Sequence, residues 1–127
     1  MNRFLPLLAA PLLLSGCIYY KNARSDGIGR AALGETVTVN GPRVTPLAVL
    51  EDSRCPTSVK CVWAGQVRIS VRIDLGSGNQ TRELTLGKPA QVADGALTLV
   101  EVTPERRSTT PVYPEDYRFG FRFDGGL

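Results

Sequence analysis

Gln66-Val67-Arg68-Ile69-Ser70-Val71-Arg72-Ile73-Asp74-Leu75 alternates without a fault between polar and apolar side chains. A period of two belongs to the β-strand, whose successive side chains point to opposite faces. Val67, Ile69, Val71, Ile73 and Leu75 are therefore predicted to face a core, and Gln66, Arg68, Ser70, Arg72 and Asp74 to face water. Gly76-Ser77-Gly78-Asn79 follows with residues that tolerate positive φ, so residues 81–86 are predicted to return as an antiparallel partner. The same reading places strands at 97–103 and 117–123. The first follows the Asp94-Gly95 turn signal and shifts its alternation at Leu99-Val100, as a bulge would. In the second, Tyr117, Phe119, Phe121 and Phe123 face one way and Arg118, Gly120 and Arg122 the other. Weaker strands are predicted at 36–40 and 44–50, the latter interrupted by Pro46, which suggests a sheet edge or a bend. Residues 104–114 hold three prolines and two arginines and read as a surface loop. No stretch carries helical periodicity. About six short strands joined by Gly, Pro and Asn turns imply an all-β fold, a small antiparallel sandwich or barrel.

The N-terminus has a different character. Arg3 and the free amine form a positive start, and residues 4–14 form an apolar run too short to cross a bilayer as a mature helix. Leu14-Ser15-Gly16-Cys17 closes it. This run resembles the lipobox of bacterial lipoproteins, which implies that residues 1–16 are a signal peptide and that Cys17 is acylated and becomes the mature N-terminus. The partner so implied is a membrane, and the place is the bacterial cell envelope. Ile18, rather than Asp, follows the cysteine, and by resemblance to enterobacterial sorting this favours an outer-membrane anchor facing the periplasm. Residues 17–34 are polar and small and read as a flexible tether, holding a single β domain at 35–127 about 20–25 Å from the bilayer. Tyr19 and Tyr20 would sit at the membrane interface.

With Cys17 assigned to the lipid, Cys55 and Cys61 remain as a pair. Outside the cytoplasm such a pair is expected to be oxidised, and its spacing is not the CxxC of a redox dithiol. A zinc site is the rival, but two thiols in a chain without histidine cannot complete one. No metal or other cofactor is expected. The missing histidine also excludes Ser-His and Cys-His nucleophile systems. Glu51-Asp52 and Glu115-Asp116 are neighbours in sequence, and on an extended chain neighbours face opposite ways, so neither forms an acid/base couple by itself. The expectation is a protein that is not an enzyme. Formal net charge is +3, and +2 once Arg3 is removed, so the sequence pI of about 9.0 does not argue for nucleic acid as a partner.

Asp52-Ser53-Arg54-Cys55-Pro56, then four residues, then Cys61-Val62-Trp63-Ala64-Gly65, is the densest cluster of unusual residues and contains the only tryptophan. With its pattern D-S-R-C-P-x4-C-x-W-x-G before an alternating strand, the segment resembles a family of small bacterial lipoproteins and secreted proteins. That resemblance implies an all-β fold and an exported location, and it implies no ligand. On a structural reading, Pro56 and the cystine stiffen the loop, Trp63 covers a sheet end, Gly65 permits a close turn, and Asp52 caps the loop or pairs with Arg54. On a functional reading, Asp52, Arg54, Pro56, Lys60 and Trp63 form a recognition loop that presents Arg54 and Lys60. A second candidate surface gathers Arg68, Arg72, Arg118 and Arg122 into one basic patch, should their strands pair, suited to anionic lipid or glycan. The alternative is that Glu83, Glu101 and Asp74 neutralise these arginines as ordinary cross-strand pairs.

The functional expectation is a monomeric, non-enzymatic envelope lipoprotein, a binding or structural module whose partner is an envelope protein or an anionic glycan or lipid. The alternative is an inhibitor of a protease, with Arg54 mimicking the cleaved residue, or of lysozyme. For the latter, Gly76-Ser77-Gly78 faintly resembles the Ser-Gly loop of membrane-bound lysozyme inhibitors.

Overall fold

The computed structural model describes residues 21–22, 26–62 and 64–125. Cys17, Tyr19, Tyr20 and Trp63 lie outside the described residues, as do residues 1–16, expected from the sequence to be a signal peptide. Nine strands run in order among the described residues: β1 (Lys21–Asn22), β2 (Gly29–Ala31), β3 (Val37–Thr38), β4 (Arg43–Asp52), β5 (Val67–Asp74), β6 (Asn79–Thr85), β7 (Ala90–Val92), β8 (Gly95–Thr103) and β9 (Arg118–Gly125). One 3-10 turn, Pro114–Asp116, precedes β9. The strands form two sheets, one ordered β1-β3-β4-β5-β6 and the other β2-β9-β8-β7, and neither closes on itself. All pairs are antiparallel except β1 with β3. The architecture is thus the sandwich of the two forms the sequence left open, with more strands than the six expected. The additional ones are two or three residues long, below the length at which alternation can be read.

The two faces of β5 fall as the period-two pattern dictates. Val67, Ile69, Val71 and Ile73 are fully buried, opposite a second-sheet layer that includes Leu97, Leu99, Phe119 and Phe121. Burial of these apolar side chains is the main stabilising contribution, and among the described residues no polar or charged one is buried with them. The turn at Gly76 (φ +78°) and Gly78 (φ +151°) needs backbone angles that only glycine adopts freely, and the Leu75 N–H donates to the Gly78 carbonyl at 2.9 Å. The register of β8 against β9 slips between Leu99 and Glu101, so the bulge expected at Leu99-Val100 is present. It turns both Leu99 and Val102 inward.

Two expectations need correction. Of the two readings of Pro46 the sheet edge is wrong, since β4 lies between β3 and β5, while the bend is present as a register shift between Pro46 and Ala48. The proline is tolerated because its carbonyl, and with it the flank that lacks an N–H, points away from β5 to accept from Gly34 N–H at 2.8 Å. The tether is also shorter than residues 17–34. Gly29–Ala31 pairs with β9, and Ala31 is fully buried. A Cβ at Gly29 would stand 2.9 Å from a Val39 methyl, so this strand enters the core with small residues and leaves no hydrophobic pattern to read.

Candidate functional site

β4 ends at Asp52 and β5 begins opposite it at Val67, so residues 53–66 form a loop at one end of the sandwich. Its neck is drawn tight. Ser53 N–H donates to the Gln66 carbonyl at 2.9 Å, and Gln66 N–H donates to Ser53 Oγ at 3.0 Å. Gly65 packs so closely on this neck that a Cβ there would stand 1.8 Å from the Ser53 carbonyl oxygen, which any other residue would have to displace. The Cys55–Cys61 disulfide closes the loop above, with Cα atoms 5.9 Å apart.

Beneath the loop lies a polar network. The Asp52 carboxylate accepts from Arg54 Nε and Nη2, each at 2.9 Å, and from the Tyr117 hydroxyl at 2.7 Å. Arg54 Nη1 donates to the Val102 carbonyl at 3.1 Å, which joins the loop to the second sheet. Burial by itself would raise the Asp52 pKa, but the hydrogen bonds from Arg54 and Tyr117 outweigh it and hold the carboxyl below its ordinary value. Burial, and then the bond to Asp52, push the Tyr117 hydroxyl up to about 12. At neutral pH Asp52 is therefore an anion and Tyr117 a neutral donor. The Tyr117 ring stacks on Phe119 with centroids 5.5 Å apart, so the network is seated on the core.

The loop between β8 and β9 completes the site. Arg106 Nη1 donates to the carbonyls of Asp52 (3.2 Å) and Arg54 (3.3 Å), and the Arg106 carbonyl accepts from Thr57 N–H at 2.9 Å. A cavity of about 520 Å³ opens between the two loops, walled by Arg54, the disulfide, Pro56, Val59, Lys60 and Arg106. Four of the five residues expected to form a recognition loop, Asp52, Arg54, Pro56 and Lys60, line this one cavity. Their roles differ from expectation. Arg54 is not presented to a partner, because its guanidinium is committed to Asp52 and the Val102 carbonyl. For the same reason it cannot serve as the cleavage-mimicking residue of a protease inhibitor. Pro56 is buried, and Lys60 alone of the four is exposed. Arg106 and Tyr117 belong to the site but were read from sequence as loop and core. Their partners in the stapled segment lie 49 to 65 positions away, and no local pattern signals such a contact.

The basic patch does not form. Arg68 and Arg72 stand on β5 of the first sheet, Arg118 and Arg122 on β9 of the second, and the outward faces of a sandwich point in opposite directions. Arg68 bonds Glu51 at 2.7 Å and Glu83 at 2.6 Å, and Arg72 lies 3.5 Å from Asp74. Arg118 donates to the Glu115 and Tyr117 carbonyls. Glu83, on β6, is thus a cross-strand partner as anticipated, whereas Asp74 stands on β5 itself beside Arg72 and Glu101 pairs with Arg30 at 3.2 Å. Gly76-Ser77-Gly78 is the β5–β6 hairpin turn, at the opposite end from the stapled loop. Among the described residues no three Cys, Asp or Glu side chains converge on a point that would hold a metal ion. Comparison with protein-family models, with curated proteins and with solved structures gave no match.

Proposed function

We propose that the protein is a non-enzymatic lipoprotein of the bacterial cell envelope, anchored at the outer membrane through acylated Cys17, and that it binds a ligand at the stapled end of its sandwich. The carrying observation is the cavity of about 520 Å³ between two loops that are each fastened to the fold, one by the disulfide and the other by Arg106. A recess held open by a covalent staple and by hydrogen bonds loses little conformational entropy on binding. Its most ionisable floor group, Asp52, already accepts three hydrogen bonds, which suits a scaffold better than a proton-transfer group. The absence of histidine from the chain supports the same reading. An inhibitory role would have to run through Lys60, since Arg54 is tied down, and stoichiometric titration against a Lys-specific protease tests it.

Two measurements test the proposal. Metabolic labelling with an alkyne fatty acid is expected to mark the wild-type protein and not Cys17→Ser. A photo-crosslinking side chain placed at position 60 in intact cells is expected to capture an envelope component, while the same group at position 77 captures none. Label on Cys17→Ser, or equal capture at both positions, would overturn it.

A further inference from the structure

The loop between β8 and β9 presents a cation that the fold does not use. Arg107 is exposed, and among the described residues no hydrogen bond or ion pair holds its guanidinium. Its neighbours are held on both sides. Arg106 turns inward: its Nη1 donates to the Asp52 and Arg54 carbonyls, its Nη2 donates to the Thr109 carbonyl at 3.5 Å, and its own carbonyl accepts from Thr57 N–H at 2.9 Å. Beyond Arg107, Thr110 N–H donates to Ser108 Oγ at 3.2 Å. The Arg107–Ser108 peptide bond is thus carried over one guanidinium that ties the chain on either side of it to the disulfide-stapled loop. Residues 105–107 run without turn or bend, and bending begins only at Ser108. Pro104 and Pro111 enclose the segment and restrict its backbone. Lys60, by contrast, follows a tight turn in which Val59 N–H donates to the Pro56 carbonyl at 3.2 Å, and it precedes a cysteine held by the disulfide.

We propose that residues 105–109 are an inhibitory loop for an Arg-specific serine protease, with Arg107 entering the specificity pocket and the Arg107–Ser108 bond lying across the catalytic serine. The inference stands apart from the anchor at Cys17 and from the ligand of the neighbouring cavity. A free guanidinium on an exposed loop matches a pocket with a carboxylate at its base. The loop is ordered before it binds, so little conformational entropy is lost on docking. Its scissile bond also resists net cleavage. The protease serine Oγ attacks the Arg107 carbonyl carbon, the C–N bond to Ser108 breaks, and the Ser108 nitrogen leaves as an amine with a proton from the catalytic histidine. Arg106 holds the carbonyls of Asp52, Arg54 and Thr109 around one guanidinium, and β9 beyond the cut stays paired with β2 and β8. The amine therefore remains beside the acyl group, and its attack re-forms the peptide bond and releases the serine before water can take its place. An ordinary substrate loop has no such tie, and its new terminus departs.

Trypsin is the probe. Titration of the full-length protein into trypsin, followed with a chromogenic Arg substrate, is expected to suppress activity at an equimolar ratio. Arg107→Ala removes no contact within the fold and is expected to raise the inhibition constant about a hundredfold with far-UV circular dichroism unchanged. Arg107→Lys keeps the charge and is expected to keep inhibition. Arg106→Ala cuts the tie and is expected to turn the inhibitor into a substrate, cleaved once between Arg107 and Ser108, as the masses of the denatured fragments would show. Trypsin left fully active by an excess of the wild-type protein would refute the inference, and so would rapid, complete cleavage of the wild type at Arg107–Ser108. Inhibition lost with Lys60→Ala but kept with Arg107→Ala would move the contact to the stapled loop and refute it equally. Arg106→Ala that inhibits as well as the wild type would show that the guanidinium does not protect the bond.

Discussion

Asp52 serves two functions with one carboxylate, holding Arg54 across the loop and Tyr117 on the core. Replacing it by Asn leaves Arg54 largely buried without a counter-charge and is expected to cost about 3 kcal/mol, read by urea denaturation at pH 7. Tyr117→Phe removes one charge-assisted bond and is expected to cost about 1.5 kcal/mol. The pH dependence has a defined sign. The Asp52 pKa is depressed in the fold, so its contribution is complete above the unfolded value of about 3.9 and is lost as pH falls through the lower folded value. The Asn variant should therefore lose less stability than the wild type as pH falls from about 5 to about 2. Tyr117 behaves in the opposite sense. Its pKa is raised to about 12, so its contribution is complete below the ordinary value of 10 and is lost as pH rises toward 12. Absorbance of phenolate, compared between wild type and Tyr117→Phe, should assign the most alkaline titration to this residue.

Among the elements, the stapled loop offers the clearest test. Cys55 and Cys61 are six positions apart, and closing so short a loop restricts the unfolded chain by about 2–3 kcal/mol. Cys55→Ser with Cys61→Ser is expected to lower Tm by several degrees while leaving far-UV circular dichroism unchanged, because the strands on either side pair independently of the bridge. Loss of strand signal would show that the staple organises β4 and β5 as well. How far each element was legible depends on how its residues meet the core. β5 and β9 bury large side chains at every second position, and the slip in β8 showed itself as two consecutive apolar residues. β2 escaped because its inward positions are Gly29 and Ala31, which fill the space by being small. The stapled cluster could be recognised from its cysteines, its proline and the Asp52–Arg54 spacing. The half of the site supplied by Arg106 and Tyr117 could not, since folding alone brings residue 106 to residue 52.

At the scale of the molecule, the division into two sheets decides which surfaces can cooperate. Arg68 and Arg72 are separated from Arg118 and Arg122 by the thickness of the sandwich. Replacing either pair by Gln should change stability in urea independently, so that the two free-energy effects add in the quadruple variant. A combined loss larger than their sum would mean that the two faces are coupled through the core. The pairing of β2 with β9 carries a different consequence. The second sheet joins residues 29–31 to residues 119–121, so it cannot be assembled until the chain has emerged as far as residue 121. Under the export proposed above, the chain would thread a translocase unfolded and from the N-terminus. A sandwich whose second sheet waits for residues 119–121 cannot bury its core until nearly all of the chain has passed, because β3–β6 alone have no opposing layer to pack against.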